Sequence, residues 1–251
     1  CVTGVQTCAL PISLDEIQDE TTPDVVGGYD MDMTNIDDSN VVEGKYGNAI
    51  SFSNADQTLL WRKNEEGDDL PANQHDSFTV SFWSKVNGTG QNDLRLFSES
   101  NTQGNNTPLF NIGTRNNGSD GTIDIYIRGI GGGPTVGHIF STAEPFDDEW
   151  HHVVFVQEDL ERSIYVDGVL DDLEIGPKAE GDSNVDATTI GGILRGSASH
   201  WVTGLIVYCV WCIVYPYVHV HVHVCMCMCM CVCVCMCACV HVCMCACVHV
   251  C

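Results

Sequence analysis

Between Leu14 and Ile206 the chain has no cysteine, few basic residues and no window with a sustained helical period, and each absence excludes a class of protein. Without cysteine this segment has neither a disulfide framework nor a thiolate metal site, and a core of its size needs no such staple. Basic residues number only 10 against 34 acidic ones, giving a formal net charge of -24. Nucleic acid is excluded as a partner, because phosphate binding requires clustered Lys and Arg. Such acidity instead suits cations, neutral glycans or basic partners.

Outside Asp15–Arg195 charge disappears, and all 16 cysteines lie there, at Cys1, Cys8 and from Cys209 to Cys251. The contrast divides the chain into three. Residues 1–13 read as adapter-like sequence, without an initiator Met, the basic region of a signal peptide or its unbroken apolar run. Residues 207–251 read as a low-complexity Cys/Val/His/Met repeat. From Val218 to Cys251 even positions hold only Val, Met or Ala and odd positions only His or Cys, as expected of a TG-type dinucleotide microsatellite read in frame. Zinc sites pair ligands two to four residues apart around turns, whereas Cys225, Cys227 and Cys229 are separated by single residues without Gly or Pro. Soft metals would still be scavenged there. Residues 14–206 remain, long enough for one domain with a full core.

Strand patterns fill this middle segment. In Ser77–Val86, Phe78, Val80 and Phe82 alternate with Thr79 and Ser81, and Ile123, Ile125 and Ile127 repeat the pattern in Thr122–Arg128. His152–Val156 is apolar on both faces and β-branched, as a central strand is. The pair Asp167–Gly168 between Ser163–Val166 and Val169–Leu170 predicts a type I′ hairpin, whose two central residues need positive φ. Ala49–Ser53, Leu94–Ser98, Leu109–Ile112, Val136–Phe140 and Thr188–Leu194 are shorter strand candidates. The expected fold is all-β, an antiparallel two-sheet sandwich.

Five segments then carry a family resemblance: Gly44–Phe52, Ser77–Trp83, Glu149–Val156, Ile164–Val169 and Thr189–Gly192. Their residues and order resemble laminin-G-like, concanavalin A-like lectin domains. The resemblance implies an antiparallel jelly roll, one module of a larger secreted or surface protein, binding glycan or protein and often holding calcium. In such domains the last strand continues past Gly204–Ile206 with acidic residues, whereas Val207–Tyr208–Cys209 follows here. A C-terminally truncated final strand is therefore expected.

Calcium needs several oxygen ligands, and Asp24, in the glycine-containing stretch Asp24–Asp30 near the family's early acidic segment, is the metal candidate. The EF-hand pattern is absent, since Asp30–Asn35 lacks its Gly and its later Glu. For a sugar, the candidate platform is Trp61, which follows Leu59–Leu60 and precedes Arg62–Lys63–Asn64 at an expected strand end. Trp83 and Trp150 lie in strand motifs and are expected in the core. Loops 87–93, 101–107 and 116–121 carry many amides, which also serve ordinary turn chemistry. Asn87, Asn105 and Asn117 begin N-glycosylation acceptor patterns, relevant in a eukaryotic secretory pathway.

Related jelly rolls include glucanases with a Glu-x-Asp-x-x-Glu strand. The nearest approach, Asp15–Glu20, fails that spacing, and His151–His152 has no nucleophile motif beside it. The expected protein is thus no enzyme but an extracellular or cell-surface binding module for glycan or protein ligands. A structural spacer in a multidomain surface or membrane-anchored protein is the alternative, and a glycoside hydrolase-type jelly roll the third reading. The run Trp201–Val218 has no charge and just reaches transmembrane length, but Pro216 interrupts it and no basic flank orients it.

Overall fold

The computed structural model describes residues 17, 21–22, 29–65, 70–104, 108–118, 120–128, 136–158, 161–171 and 185–213. In chain order the strands are β1 (Thr21–Thr22), β2 (Met31–Thr34), β3 (Val41–Glu43), β4 (Asn48–Phe52), β5 (Leu59–Lys63), β6 (Phe78–Asn87), β7 (Arg95–Ser100), β8 (Leu109–Thr114) and β9 (Ile123–Arg128). They continue with β10 (Val136–Phe140), β11 (Asp147–Glu158), β12 (Glu161–Val166), β13 (Val169–Leu170), β14 (Ala187–Ile190), β15 (Ile193–Arg195), β16 (Ser197–Ser199) and β17 (Gly204–Ile213). Two short 3-10 turns, Asp38–Asn40 and Ala72–Gln74, are the helical elements among the described residues.

An eight-stranded sheet runs β1-β2-β5-β14-β7-β8-β9-β10, a seven-stranded sheet runs β13-β12-β11-β6-β17-β4-β3, and β15-β16 form a separate hairpin. All strand pairs are antiparallel. The expected all-β sandwich is what the chain forms. Most strand candidates fall where the patterns put them. Thr188–Leu194 is instead broken into β14 and β15 at Gly191–Gly192, because Gly191 takes φ +86° and turns the chain out of the sheet.

The core lies between the two large sheets. Phe97 and Phe110 from one face Phe78 and Phe155 from the other, with ring centroids 4.7 Å apart for Phe110–Phe155 and 5.7 Å for Phe78–Phe110. Offset and edge contacts of this kind suit the aromatic quadrupole and join the layers. At the predicted hairpin, Asp167 and Gly168 have φ of 50° and 78°, positive at both central positions as the type I′ turn requires.

Two expectations are corrected. On β6, Phe78, Val80, Phe82, Ser84 and Val86 point inward, so Trp83 must point out; it is half-buried on the outer face, stacked on His152 at 5.1 Å and edge-on to Tyr46 at 5.6 Å. Trp150 is half-buried rather than in the core, at the start of β11 beside a register shift. The final strand is β17, Gly204–Ile213. It runs past Ile206 to Ile213, pairing with β6 from Leu205↔Lys85 to Ile213↔Phe78 with one register shift between Val207 and Cys209. Ladder hydrogen bonds use only main-chain groups, so the change of sequence character after Ile206 does not stop the pairing.

By contact density the chain divides into residues 1–220 and 221–251, the second unit lying wholly outside the described residues. Ten residues of the uncharged run Trp201–Val218 form β17, and among the described residues no helix is long and apolar enough to cross a membrane.

Candidate functional site

The outer face of the eight-stranded sheet is the most unusual surface of the molecule. One cross-strand row of outward residues can be followed from register alone: Asp32, Trp61, Thr189, Ser98, Asn111 and Tyr126. Such a face is ordinarily wet, yet Thr189, Ser98 and Asn111 are buried. The β15–β16 hairpin folds back against β7 and β14. It is fastened by the Ser100 hydroxyl donating to the Leu194 carbonyl, by Gly196 N–H to the Thr102 carbonyl at 2.8 Å, and by the Thr189 hydroxyl to the Gly192 carbonyl at 2.8 Å.

Where the hairpin meets the sheet, a groove opens. Thr34, Leu59, Trp61 and Lys63 form its floor, Thr102 and Gln103 one wall, and Leu194, Gly196 and Ala198 the other, around a cavity of about 460 Å³. That volume lies within the range of small-ligand sites. The Thr102 wall is ordered by Asp186, whose carboxylate accepts from the Thr102 backbone N–H at 2.6 Å and from its hydroxyl at 2.7 Å. Trp61 sits in mid-strand on β5, not at a strand end, and is half-buried, so part of its ring remains accessible. An indole face flanked by hydroxyl, amide and ammonium groups can stack on an apolar ring face and hydrogen-bond its rim.

Further along the same face, toward β10, lies a charged cluster. Asp93, Asp124 and His138 each offer a ligand atom within 4.8 Å of the others. Asp124 on β9 is 1% exposed; its Oδ2 accepts from Asn116 N–H at 3.0 Å and lies 2.7 Å from His138 Nδ1, while its Oδ1 has no partner. Burial pushes the Asp124 carboxyl above the usual range, outweighing the His138 and Arg95 charges that oppose it. The Arg95 guanidinium pairs with Asp93, and His200 Nε2 lies 3.6 Å from Asp93 Oδ2. Burial, then Arg95 and Arg195, hold His200 below its usual value. The His138 ring stacks on Tyr126 at 4.3 Å.

Of the two site residues singled out from the sequence, Trp61 lies in the groove and Asp24 lies outside the described residues. Residues 102 and 103 line the groove, whereas 87–93 and 116–118 meet near the charged cluster, with Gly118 N–H donating to the Asn92 side-chain oxygen at 3.3 Å. Asp93, Asp124 and His138 were not singled out by sequence reasoning. A signal for one existed: the inward alternation Ile123, Ile125, Ile127 leaves Asp124 and Tyr126 on the opposite face.

Glu99, also unforeseen, is fully buried between the sheets. Its oxygens accept from Ala72 N–H at 2.6 Å and Asn73 N–H at 2.7 Å, holding the second 3-10 turn, and burial pushes it up to about 7. In the other sheet, near the start of β11, burial draws His151 down, but its contacts with Asp167 at 2.7 Å and Asp147 at 3.2 Å outweigh this and raise it overall.

Solved structures share this architecture at low identity. Domain 4 of AbnA, a GH43 extracellular arabinanase from Geobacillus stearothermophilus, in complex with arabinotriose, is 15% identical with a TM-score of 0.59, over 84% of this chain and 95% of that one. A Trypanosoma rangeli sialidase is 14% identical with a TM-score of 0.56, over 81% of this chain and 30% of that one. The binding domain of Botulinum Neurotoxin DC in complex with SialylT is 15% identical with a TM-score of 0.54; the match covers 82% of this chain and only 47%, about half, of the toxin domain. No curated protein sequence matches the chain. The family model of the concanavalin A-like lectin/glucanases superfamily matches residues 53–206, which hold β5 to β16 and the start of β17, and the chain belongs to that superfamily.

Proposed function

We propose that the chain is a non-catalytic module that binds a short glycan in the Trp61 groove, as part of an extracellular or cell-surface protein. One observation carries this reading: the aromatic side chain sits on the floor of a cavity of about 460 Å³ whose remaining lining supplies Thr34, Lys63, Thr102 and Gln103 as hydrogen-bonding groups. The arabinotriose complex of the arabinanase domain and the SialylT complex of the toxin domain supply precedent for sugar binding on this architecture. Superfamily membership leaves glycan and protein ligands both open; the indole among hydrogen-bonding side chains favours the glycan. A protein partner would instead engage a flatter surface of several hundred square ångströms.

Calcium support through Asp24 belongs to the same proposal. Thermal denaturation with calcium and with EGTA checks it: a higher melting temperature in calcium, lost in Asp24→Ala, is expected, and equal curves would remove calcium from the proposal.

The groove itself is tested on a glycan array with the wild-type chain and Trp61→Ala. Loss of the indole should lower affinity for a bound glycan about thirtyfold or more, the cost of removing an aromatic anchor. Undiminished binding by the variant would refute the groove as the site.

A further inference from the structure

We propose that Asp93, Asp124 and His138 bind a divalent transition ion of the zinc class, which pins the edge strand β10 and the loop before β7 onto β9. The three residues come from three elements: Asp93 from that loop, Asp124 from mid-β9 and His138 from β10. Their ligand atoms already lie within 4.8 Å of one another. The approach depends on Gly113 of β8, directly opposite Asp124 in the ladder. A Cβ there would lie 2.0 Å from the Leu94 carbonyl oxygen, so only glycine lets the loop descend and carry Asp93 beside Asp124.

An independent feature points to a ligand. Asp124 is 1% exposed, yet its Oδ1 has no hydrogen-bond partner, and Asn111 Oδ1, at 2% exposure on the same face, has none either. Buried oxygens left unpaired are costly, and a bound cation is among the few groups that satisfy a carboxylate lone pair there.

The donor set selects the ion. One imidazole nitrogen with two carboxylates is a transition-metal set, three protein ligands with a fourth position left for water, whereas calcium takes six to eight oxygens. Binding requires His138 to present an unprotonated Nδ1, so the ion would sit between Nδ1 and the Asp124 carboxylate, which now lie 2.7 Å apart. Nε2–H then donates to the Asn116 side-chain oxygen once that amide turns, its nitrogen now being 2.6 Å from Nε2. Such a partner orients a ligating histidine. The Arg95 guanidinium holds Asp93 Oδ1 and so keeps that carboxylate fixed, while its Oδ2 lies 3.6 Å from His200 Nε2.

The test uses the full reduced chain, and because its Cys/His repeat would also scavenge metal, every readout is a difference between variants. Zinc at about a hundredfold excess over its Kd should raise the melting temperature of the wild-type chain by about 5–10 °C. The rise should vanish in His138→Gln and in Asp93→Asn, with metal-free far-UV spectra unchanged. In histidine-selective NMR the His138 ring signals should shift on zinc addition and stay fixed with calcium. An equal rise in wild type and both variants, or no rise with His138 signals unmoved, would overturn the site.

Discussion

Glu99 stands between Ser98 and Ser100 at the polar end of β7, yet it is fully buried in the sandwich. There it caps the Ala72–Gln74 turn through two backbone N–H groups, and burial raises it to about 7 from an ordinary value of 4.5. Between about 4.5 and 7 the folded state binds more protons at Glu99 than the unfolded state, so this group's contribution is full below the lower value and is lost as pH rises through the upper one. Urea denaturation of wild type and Glu99→Gln at pH 5 and pH 7.5 isolates it. The stability advantage of wild type over the variant should shrink by about 2–3 kcal/mol at the higher pH; a constant difference would contradict the assignment. For His151 the raised value means a favourable contribution present below its ordinary range and lost as pH rises through the folded value. Asp167→Asn should lower the NMR titration midpoint of His151, because it removes the strongest contact that outweighs burial.

At the scale of elements, much of the fold is legible in local pattern and some of it is not. The alternation in Phe78–Val86 and Ile123–Ile127, and the Asp167–Gly168 turn, identify β6, β9 and the β12–β13 hairpin, since period-two burial and positive φ are local demands. The same alternation assigns Trp83 to the outer face, and reading every aromatic in a strand motif as core misses that. Illegible locally is the covering of β7 and β8. Both are buried along their whole length, and the β15–β16 hairpin, far along the chain, returns against β7. That return hinges on Gly191. Its φ is +86° and its backbone presses against Phe52, where an added Cβ would lie 2.1 Å from the ring, so alanine fits neither the conformation nor the space. Gly191→Ala should destabilise the fold by about 2–5 kcal/mol in chemical denaturation, and a neutral result would show that the hairpin tolerates another path. The groove was legible only in part: Trp61 was visible as an aromatic beside a polar run, whereas Thr102, Gln103 and Leu194 meet it through tertiary packing.

For the whole molecule, a formal net charge of -24 works against compactness by self-repulsion. Raising ionic strength from 0.01 M to 0.15 M shortens the screening length from about 30 Å to about 8 Å, so the melting temperature should rise over that range in sodium chloride. A falling melting temperature would mean that specific ion pairs such as Arg95–Asp93 outweigh the general repulsion. The two large sheets divide the labour: one closes the core with β17, and the other turns an unusually buried polar face toward the hairpin and the groove. The most direct test of the groove is NMR titration of the isotopically labelled chain with a glycan that it binds. The Trp61 indole N–H and the backbone amides of Thr102, Gln103 and Gly196 are expected to shift together and saturate at one Kd. Shifts confined to the opposite sheet, around Tyr46, Trp83 and His152, with the Trp61 signal unmoved, would contradict the account.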